Sequence, residues 1–228
     1  MKGPEESPKR RFFGILSGMK TLYLVRHGKS EANDKRIYQR KDTPLSGGGR
    51  EQAYILQKRF ERIPVNILYA SSLKRAQETA EIINEKLKLS IHTTELMNEW
   101  GKPTSLLDTP IEGEKAKEFR SELVLHKDDP YWKWQDEEPI GELRDRVVQF
   151  LEEMKKVSQD NILVVTHSLL LKMMLSVVLF GAESLPFADV DSFSVRATNT
   201  GITVFQLEEG RKDWRLITWN DHAHLGEL

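Results

Sequence analysis

Two imidazoles stand at the ends of apolar runs. Thr21-Leu22-Tyr23-Leu24-Val25 leads into Arg26-His27-Gly28, and Asn161-Ile162-Leu163-Val164-Val165 leads into Thr166-His167-Ser168. An imidazole changes charge near neutral pH and serves as nucleophile, acid or base. An arginine beside it offers a fork of donors matched to phosphate or carboxylate. A third run, Asn66-Ile67-Leu68-Tyr69-Ala70, closes on Ser71-Ser72 and is followed by Arg75. Each run reads as a short buried strand. Taken singly, each end has two readings: a loop with incidental polar residues, or a strand delivering reactive groups. Gly28 permits a tight turn and close approach of a ligand to backbone N–H groups. Arg75 is either a solvated surface residue or a cation sharing an anion with a helix start.

The elements that position these groups alternate in type. Ser46 is a plausible helix N-cap, and Ala53, Leu56, Phe60 and Ile63 follow at spacings of three and four. A second helix carries Ala76, Ala80, Ile83 and Leu87, with Arg75 near its start. Ser90 to Thr94 reads as an edge strand. Periodicity then fails from Leu96 to Glu138, a stretch holding Trp100, Tyr131, Trp132 and Trp134, with only 112–126 suited to a helix. A long irregular stretch of this kind is usually functional or a lid. Order returns over 141–157, where Leu143, Val147, Phe150, Leu151, Met154 and Val157 keep the helical period. An apolar helix starts at Leu169, and Ile202–Leu207 and Trp214–Trp219 flank a turn as a hairpin. Strands alternating with helices predict an α/β fold: three layers, α/β/α, around a mostly parallel central sheet with an inserted cap segment. In such sheets ligands bind beyond the carboxyl ends of the strands. That logic brings Arg26, His27, Arg75 and His167 to one edge, a dense positive site that favours phosphate.

Composition narrows the rest. Lys and Arg number 34 against 35 Asp and Glu, so no global charge points to nucleic acid or an anionic membrane. There is no cysteine, which excludes disulfides, thiolate metal sites and a cysteine nucleophile, and fits a reducing cytoplasm. Leu169 to Phe180 is too short to span a bilayer and carries Lys172. Residues 1–20, with Lys9-Arg10-Arg11, read as a flexible extension ahead of a single domain over 21–228, its cap at about 99–138. Asp42-Thr43-Pro44-Leu45-Ser46-Gly47-Gly48-Gly49 lacks the preceding strand and closing Lys-Ser/Thr of a phosphate loop. His222 and His224 form a weak metal pair without further ligands in sequence, so no metal and no cofactor is expected.

Arg26-His27-Gly28 with Asn33 resembles the opening signature of the histidine phosphatase superfamily, which includes the cofactor-dependent phosphoglycerate mutases. Further matches run in order: Asp42 to Ser46 with Gly49 and Gln52-Ala53, then Ser71-Ser72-Leu73-Lys74-Arg75-Ala76 with Thr79-Ala80, then Val164-Val165-Thr166-His167, then Asn199-Thr200-Gly201-Ile202-Thr203. The resemblance covers about 21–225. It implies that His27 attacks phosphorus and becomes phosphohistidine, while Arg26, Arg75 and His167 hold the phosphoryl oxygens. Asn33 and backbone N–H groups near Ser46 and Ser168 would complete the pocket. The general acid would be Glu99, with Glu95 as competitor because the usual spacing is not kept. Lys29 stands where an acid is common and makes the mouth more basic, Ser168 replaces a frequent glycine, and Glu138 aligns with a frequent glutamate among changed neighbours.

The function implied is a metal-independent phosphomonoester phosphatase acting on a small phosphorylated substrate or a phosphoprotein. Gly101-Lys102-Pro103-Thr104-Ser105 replaces the basic, tyrosine-containing stretch of the mutases, which makes phosphoglycerate mutase the alternative. A non-catalytic phosphoprotein-binding module is a third reading. The cap aromatics, with Lys102, Lys127 and Lys133, either grip the ester or pack the lid, and packing is expected for at least half. Oligomeric state is not legible.

Overall fold

The computed structural model describes residues 18–183, 195–226. The expected N-terminal extension lies outside these residues up to position 17. Its last two residues belong to the first strand, β1 (Met19–Arg26), which begins before Thr21. There follow α1 (Glu31–Lys35), α2 (Gly47–Phe60), β2 (Ile67–Ser71), α3 (Lys74–Leu87), β3 (Ile91–Thr94), α4 (Glu114–Leu125), α5 (Ile140–Lys156), β4 (Asn161–Thr166), α6 (Ser168–Phe180), β5 (Ile202–Glu208) and β6 (Arg215–Asp221).

One sheet runs β3-β2-β4-β1-β5-β6. β3, β2, β4 and β1 are mutually parallel, and the β5–β6 hairpin is antiparallel to β1. β4 lies between β1 and β2 because both of its faces are apolar. Ile162 and Val164 join Leu22 and Leu24 in a core with Leu143, Phe150 and Leu170 of α5 and α6. Leu163 and Val165 join Val25 in a second core with Leu56, Phe60, Ala76, Ala80 and Ile83 of α2 and α3. Helices therefore cover both faces, the three-layer α/β/α arrangement expected from continuous apolar strands. Each such leucine, fully withdrawn from water, contributes about 1.5–3 kcal/mol.

The register aims the strand ends. Val25 pairs Val165 and Arg26 pairs Thr166, so His27 and His167 leave the sheet side by side. The connection from β3 to α5 forms the cap. Within it Trp100 and Trp134 pack on Phe119, with ring centroids 5.8 and 5.7 Å apart. The Lys102 ammonium sits 3.0 Å over the Trp100 ring. Trp132 stacks on His126, and Tyr131 donates to Asp145. Trp100 and Trp134 are thus packed and Trp132 is stacked within the cap, in line with packing for at least half, while Tyr131 is exposed.

The cap is tied to the 36–41 segment across the cleft. Tyr38 exchanges backbone hydrogen bonds with Thr109 and Asp108, each 3.0 Å. Arg36 pairs with Glu112 and Arg40 with Asp108. Among the described residues, no helix is long and apolar enough to cross a membrane.

Candidate active site

His27 is 1 % exposed and its tautomer is fixed. Nδ1 lies 2.6 Å from the Gly28 carbonyl, which can only accept, so Nδ1 carries the proton and Nε2 the lone pair. Arg75 Nε donates to that lone pair at 3.2 Å, and Arg75 Nη1 donates to the Arg40 carbonyl at 3.1 Å. Burial, then the cations Arg75 and Arg26, hold His27 well below the usual imidazole range, so it is neutral at pH 7. A neutral imidazole with a defined Nε2 lone pair is a nucleophile, and Arg75 is the group that an incoming anion must draw away from it.

Gly28 has a different task from the one expected. Its N–H donates to Thr79 Oγ1 at 3.0 Å and is not free for a ligand. A Cβ there would fall 2.4 Å from the Gly49 carbonyl, so the glycine admits the start of α2 against the loop. Thr79 donates in turn to the Arg75 carbonyl at 2.7 Å. Asn199 Nδ2 donates to the His27 carbonyl at 2.9 Å, so the nucleophile's loop is held from two sides.

His167 faces His27 with ring centroids 5.1 Å apart. Its Nε2 lies 2.7 Å from Ser71 Oγ, whose own proton goes to Asn98 Oδ1 at 2.7 Å. Asn98 Oδ1 also accepts the Ser72 backbone N–H, which identifies it as the oxygen. Ser71 must therefore accept from His167, and Nε2 is protonated. Nδ1 of His167 is left buried without a partner, as is Nε of Arg26. The other buried, unpartnered side-chain atom among the described residues is Glu137 Oε2 in the cap. Orphaned buried polar atoms are rare and call for an explanation. Two on neighbouring strand ends, one an arginine donor and one an imidazole nitrogen that can take up a proton, suit an anion held between them once that proton is in place. Burial, then Arg75, His27 and Arg26, hold His167 well below the usual imidazole range. Arg26 Nη1 is anchored on the Ala197 carbonyl at 2.5 Å.

Glu99 sits at the start of α6, directly after His167. Its carboxylate accepts the N–H groups of Leu170 (3.1 Å), Leu169 (3.3 Å) and Trp100 (3.1 Å). A carboxylate is favoured at a helix N-terminus. Glu99 is also the carboxylate that acts electrostatically on Arg26 and Arg75. Glu95 is exposed, although both glutamates line the same cleft, of about 680 Å³. Arg75, Asn33 and Ser168 line it too.

The remaining expected phosphate ligands divide. Asn33 shares a capping box with Ser30: its Oδ1 accepts the Ser30 N–H, and its own N–H donates to Ser30 Oγ. Its side-chain amide donor is left for the cleft. Ser168 is the first residue of α6, where backbone N–H groups lack helical partners. Ser46 is a correction. Its N–H donates to the Lys29 carbonyl at 2.9 Å and its hydroxyl caps Gly49 of α2, so neither group is available to phosphate. It is a helix cap, and it does not line the cleft. Lys29 pairs with Asp34, which neutralises the basic mouth expected from it. His224 bonds Thr200 and Arg59, and His222 the Asn220 carbonyl. Among the described residues no group of three or more His, Asp or Glu could hold a metal ion.

Sequence reasoning assigned no part to Asn98, Asn199, Thr79 or Arg146. Thr79 and Asn199 stand in matching motifs without a role of their own, and Arg146 interrupts the apolar face of α5, three residues after Leu143 and four before Phe150.

The sequence pattern of the histidine phosphatase superfamily (branch 1) matches residues 22–222. The chain is 32% identical to a Hydrogenobacter thermophilus protein named "Putative phosphoserine phosphatase 2", over 92% of this chain and 100% of that one. It is 29% identical to phosphoserine phosphatase 1 of the same organism, over 92% and 96%. In fold it resembles a mycobacterial glucosyl-3-phosphoglycerate phosphatase solved with VO3, with TM-score 0.72 at 20% identity over 89% of this chain and 99% of that one.

Proposed function

Because the chain belongs to the histidine phosphatase superfamily, we propose that it is a phosphomonoester phosphatase working through a phosphohistidine at His27 without a metal. The observation that carries this reading is the pair of buried orphans, Arg26 Nε and His167 Nδ1, beside an imidazole whose Nε2 lone pair is held by Arg75. A phosphoryl group gives all three a partner. Arg26, Arg75, the Asn33 amide and the Ser168 N–H donate to its oxygens and stabilise the transferring charge. His167 keeps its Nε2 proton for Ser71 and accepts a second on Nδ1 as the dianion enters.

The His27 Nε2 lone pair then forms the N–P bond while the ester P–O bond breaks. The leaving alkoxide takes a proton from Glu99, which enters the step as the carboxylic acid after taking up a proton from solvent or from a monoanionic ester. In the second step Glu99 removes a proton from water, whose oxygen bonds phosphorus as the N–P bond breaks, and inorganic phosphate leaves.

The substrate is a small phosphomonoester, and the names of two relatives make phosphoserine the first compound to assay. A cytoplasmic setting agrees with the cysteine-free composition. The test is phosphate release from phosphoserine and p-nitrophenyl phosphate in the presence of EDTA. Turnover is expected to persist with EDTA and to vanish in His27→Ala; loss of turnover with EDTA, or its survival in the variant, contradicts the proposal.

A further inference from the structure

Glu99 reaches the site on an irregular segment, 95–101, that no strand or α-helix stiffens. Thr166 of β4 donates to the Met97 carbonyl at 2.8 Å, and one further side chain takes three carbonyls of the segment at once. Arg146 of α5 uses all five guanidinium N–H groups. Nη1 donates to the carbonyls of Leu96 (2.8 Å) and Asn98 (2.7 Å), and Nη2 to the carbonyl of Glu99 (3.2 Å). Nε and the second Nη2 hydrogen bind the two oxygens of Glu138 at 2.6 and 3.0 Å. Glu138 Oε2 also accepts the Gly101 N–H at 2.9 Å, just beyond Glu99. The pair is largely buried, with side chains 15 % and 19 % exposed. The Glu99 backbone is thus gripped on both sides, while Asn98, gripped by the same arginine, carries the oxygen that orders Ser71 and through it His167.

We propose that Arg146, with Glu138, is a positioning residue for the general acid: it sets where the Glu99 carboxyl meets the leaving oxygen, without touching substrate. This rests on the reading of Glu99 as the acid. Three carbonyls and a carboxylate around one planar fork are a demand that lysine, with three rotatable donors on a point charge, does not meet. Arg146→Lys keeps the charge on Glu138 and loses the geometry. A misplaced acid harms the step that needs a proton and spares the one that does not.

Phosphoserine leaves as an alkoxide and needs the proton; p-nitrophenyl phosphate leaves as a stable phenolate and does not. Arg146→Lys, Glu138→Gln and Glu99→Gln are to be compared on both substrates, with melting temperatures recorded. For Glu99→Gln we expect kcat/KM on phosphoserine, which reports phosphohistidine formation and not the later attack of water, to fall about 100-fold or more, with a far smaller change on the aryl ester. Arg146→Lys should repeat this substrate-dependent pattern in kcat/KM at about 10- to 100-fold, and add little in the double variant with Glu99→Gln. Glu138→Gln should repeat it more weakly and guards against a folding defect in the arginine variant. Equal losses on both substrates in Arg146→Lys and Glu138→Gln, or no loss, while Glu99→Gln discriminates, overturn the positioning role. A Glu99→Gln variant that does not discriminate overturns the acid itself, and the inference with it.

Discussion

Ser71→Ala removes one oxygen and tests the hydrogen-bond logic of the site. Ser71 is fully buried, and its Oγ accepts from His167 Nε2, accepts from the Leu73 N–H at 3.2 Å and donates to Asn98 Oδ1. Asn98 Oδ1 keeps Ser72 as partner. The Leu73 N–H loses a long 3.2 Å bond, and the greater loss falls on His167, whose ring N–H becomes a buried unsatisfied donor beside a second nitrogen that already has no partner. Such a donor costs about 1–3 kcal/mol. In a chain of this size that lowers the melting temperature by about 2–4 °C per kcal/mol, so by about 2–12 °C. There is a second consequence. Freed from Ser71, His167 shifts its single proton to Nδ1, and an anion then binds without proton uptake. Sulfate, a phosphate-shaped dianion that does not titrate near neutral pH, reads this out by calorimetry at pH 7 in buffers of different ionisation enthalpy. The native protein is expected to take up close to one proton per sulfate, and Ser71→Ala distinctly less. Equal melting temperatures together with equal proton uptake would refute the assignment of the Nε2 proton.

Further outcomes follow from other contacts. Gly28→Ala forces a Cβ to within 2.4 Å of the Gly49 carbonyl, a backbone atom that cannot swing away; a destabilisation of about 1–3 kcal/mol by urea titration is expected, and a neutral result would contradict the tight α2 contact. Burial pushes the Glu137 carboxyl up to about 7 from an ordinary 4.5, and one of its oxygens has no partner. With the folded value raised, its stabilising share is complete below about 4.5 and lost as pH rises through about 7. Glu137→Gln should therefore melt like the native protein at pH 5 and above it at pH 8; a constant difference across that range would be inconsistent with a titrating carboxyl.

What sequence could and could not disclose follows from the range of the interactions. β1, β2 and β4 were legible because strands buried on both faces must be apolar throughout, and their ends carry Arg26-His27, Ser71 and Thr166-His167. α5 was legible because its apolar residues keep the helical period over four turns. Ser46 is legible as the N-cap of α2, whereas its expected place beside phosphate is not kept, because its own N–H is taken by the Lys29 carbonyl, a contact between loops that sequence does not display. Gly28 was given the wrong reason, since which atom approaches a glycine is decided by an element further along the chain. Glu99 is the better match in sequence with Glu95 as competitor, and α6 sets them apart: one accepts its N-terminal N–H groups and the other is exposed. The Ser71–Asn98 link to His167 joins distant segments through single hydrogen bonds that leave no periodicity to read, and the helical spacing that places Arg146 on an apolar face does not say which carbonyls it meets.

The central claim is that His27 Nε2 takes the phosphoryl group. Rapid acid-free quenching during turnover of phosphoserine or p-nitrophenyl phosphate, followed by mass spectrometry of intact protein and its peptides, tests it directly. The account predicts one phosphoryl group per chain, stable to alkali and labile to acid, on the peptide holding His27, and none in His27→Ala. A steady-state turnover with no phosphoprotein under any quench, or a phosphoryl group on His167 instead, would contradict it.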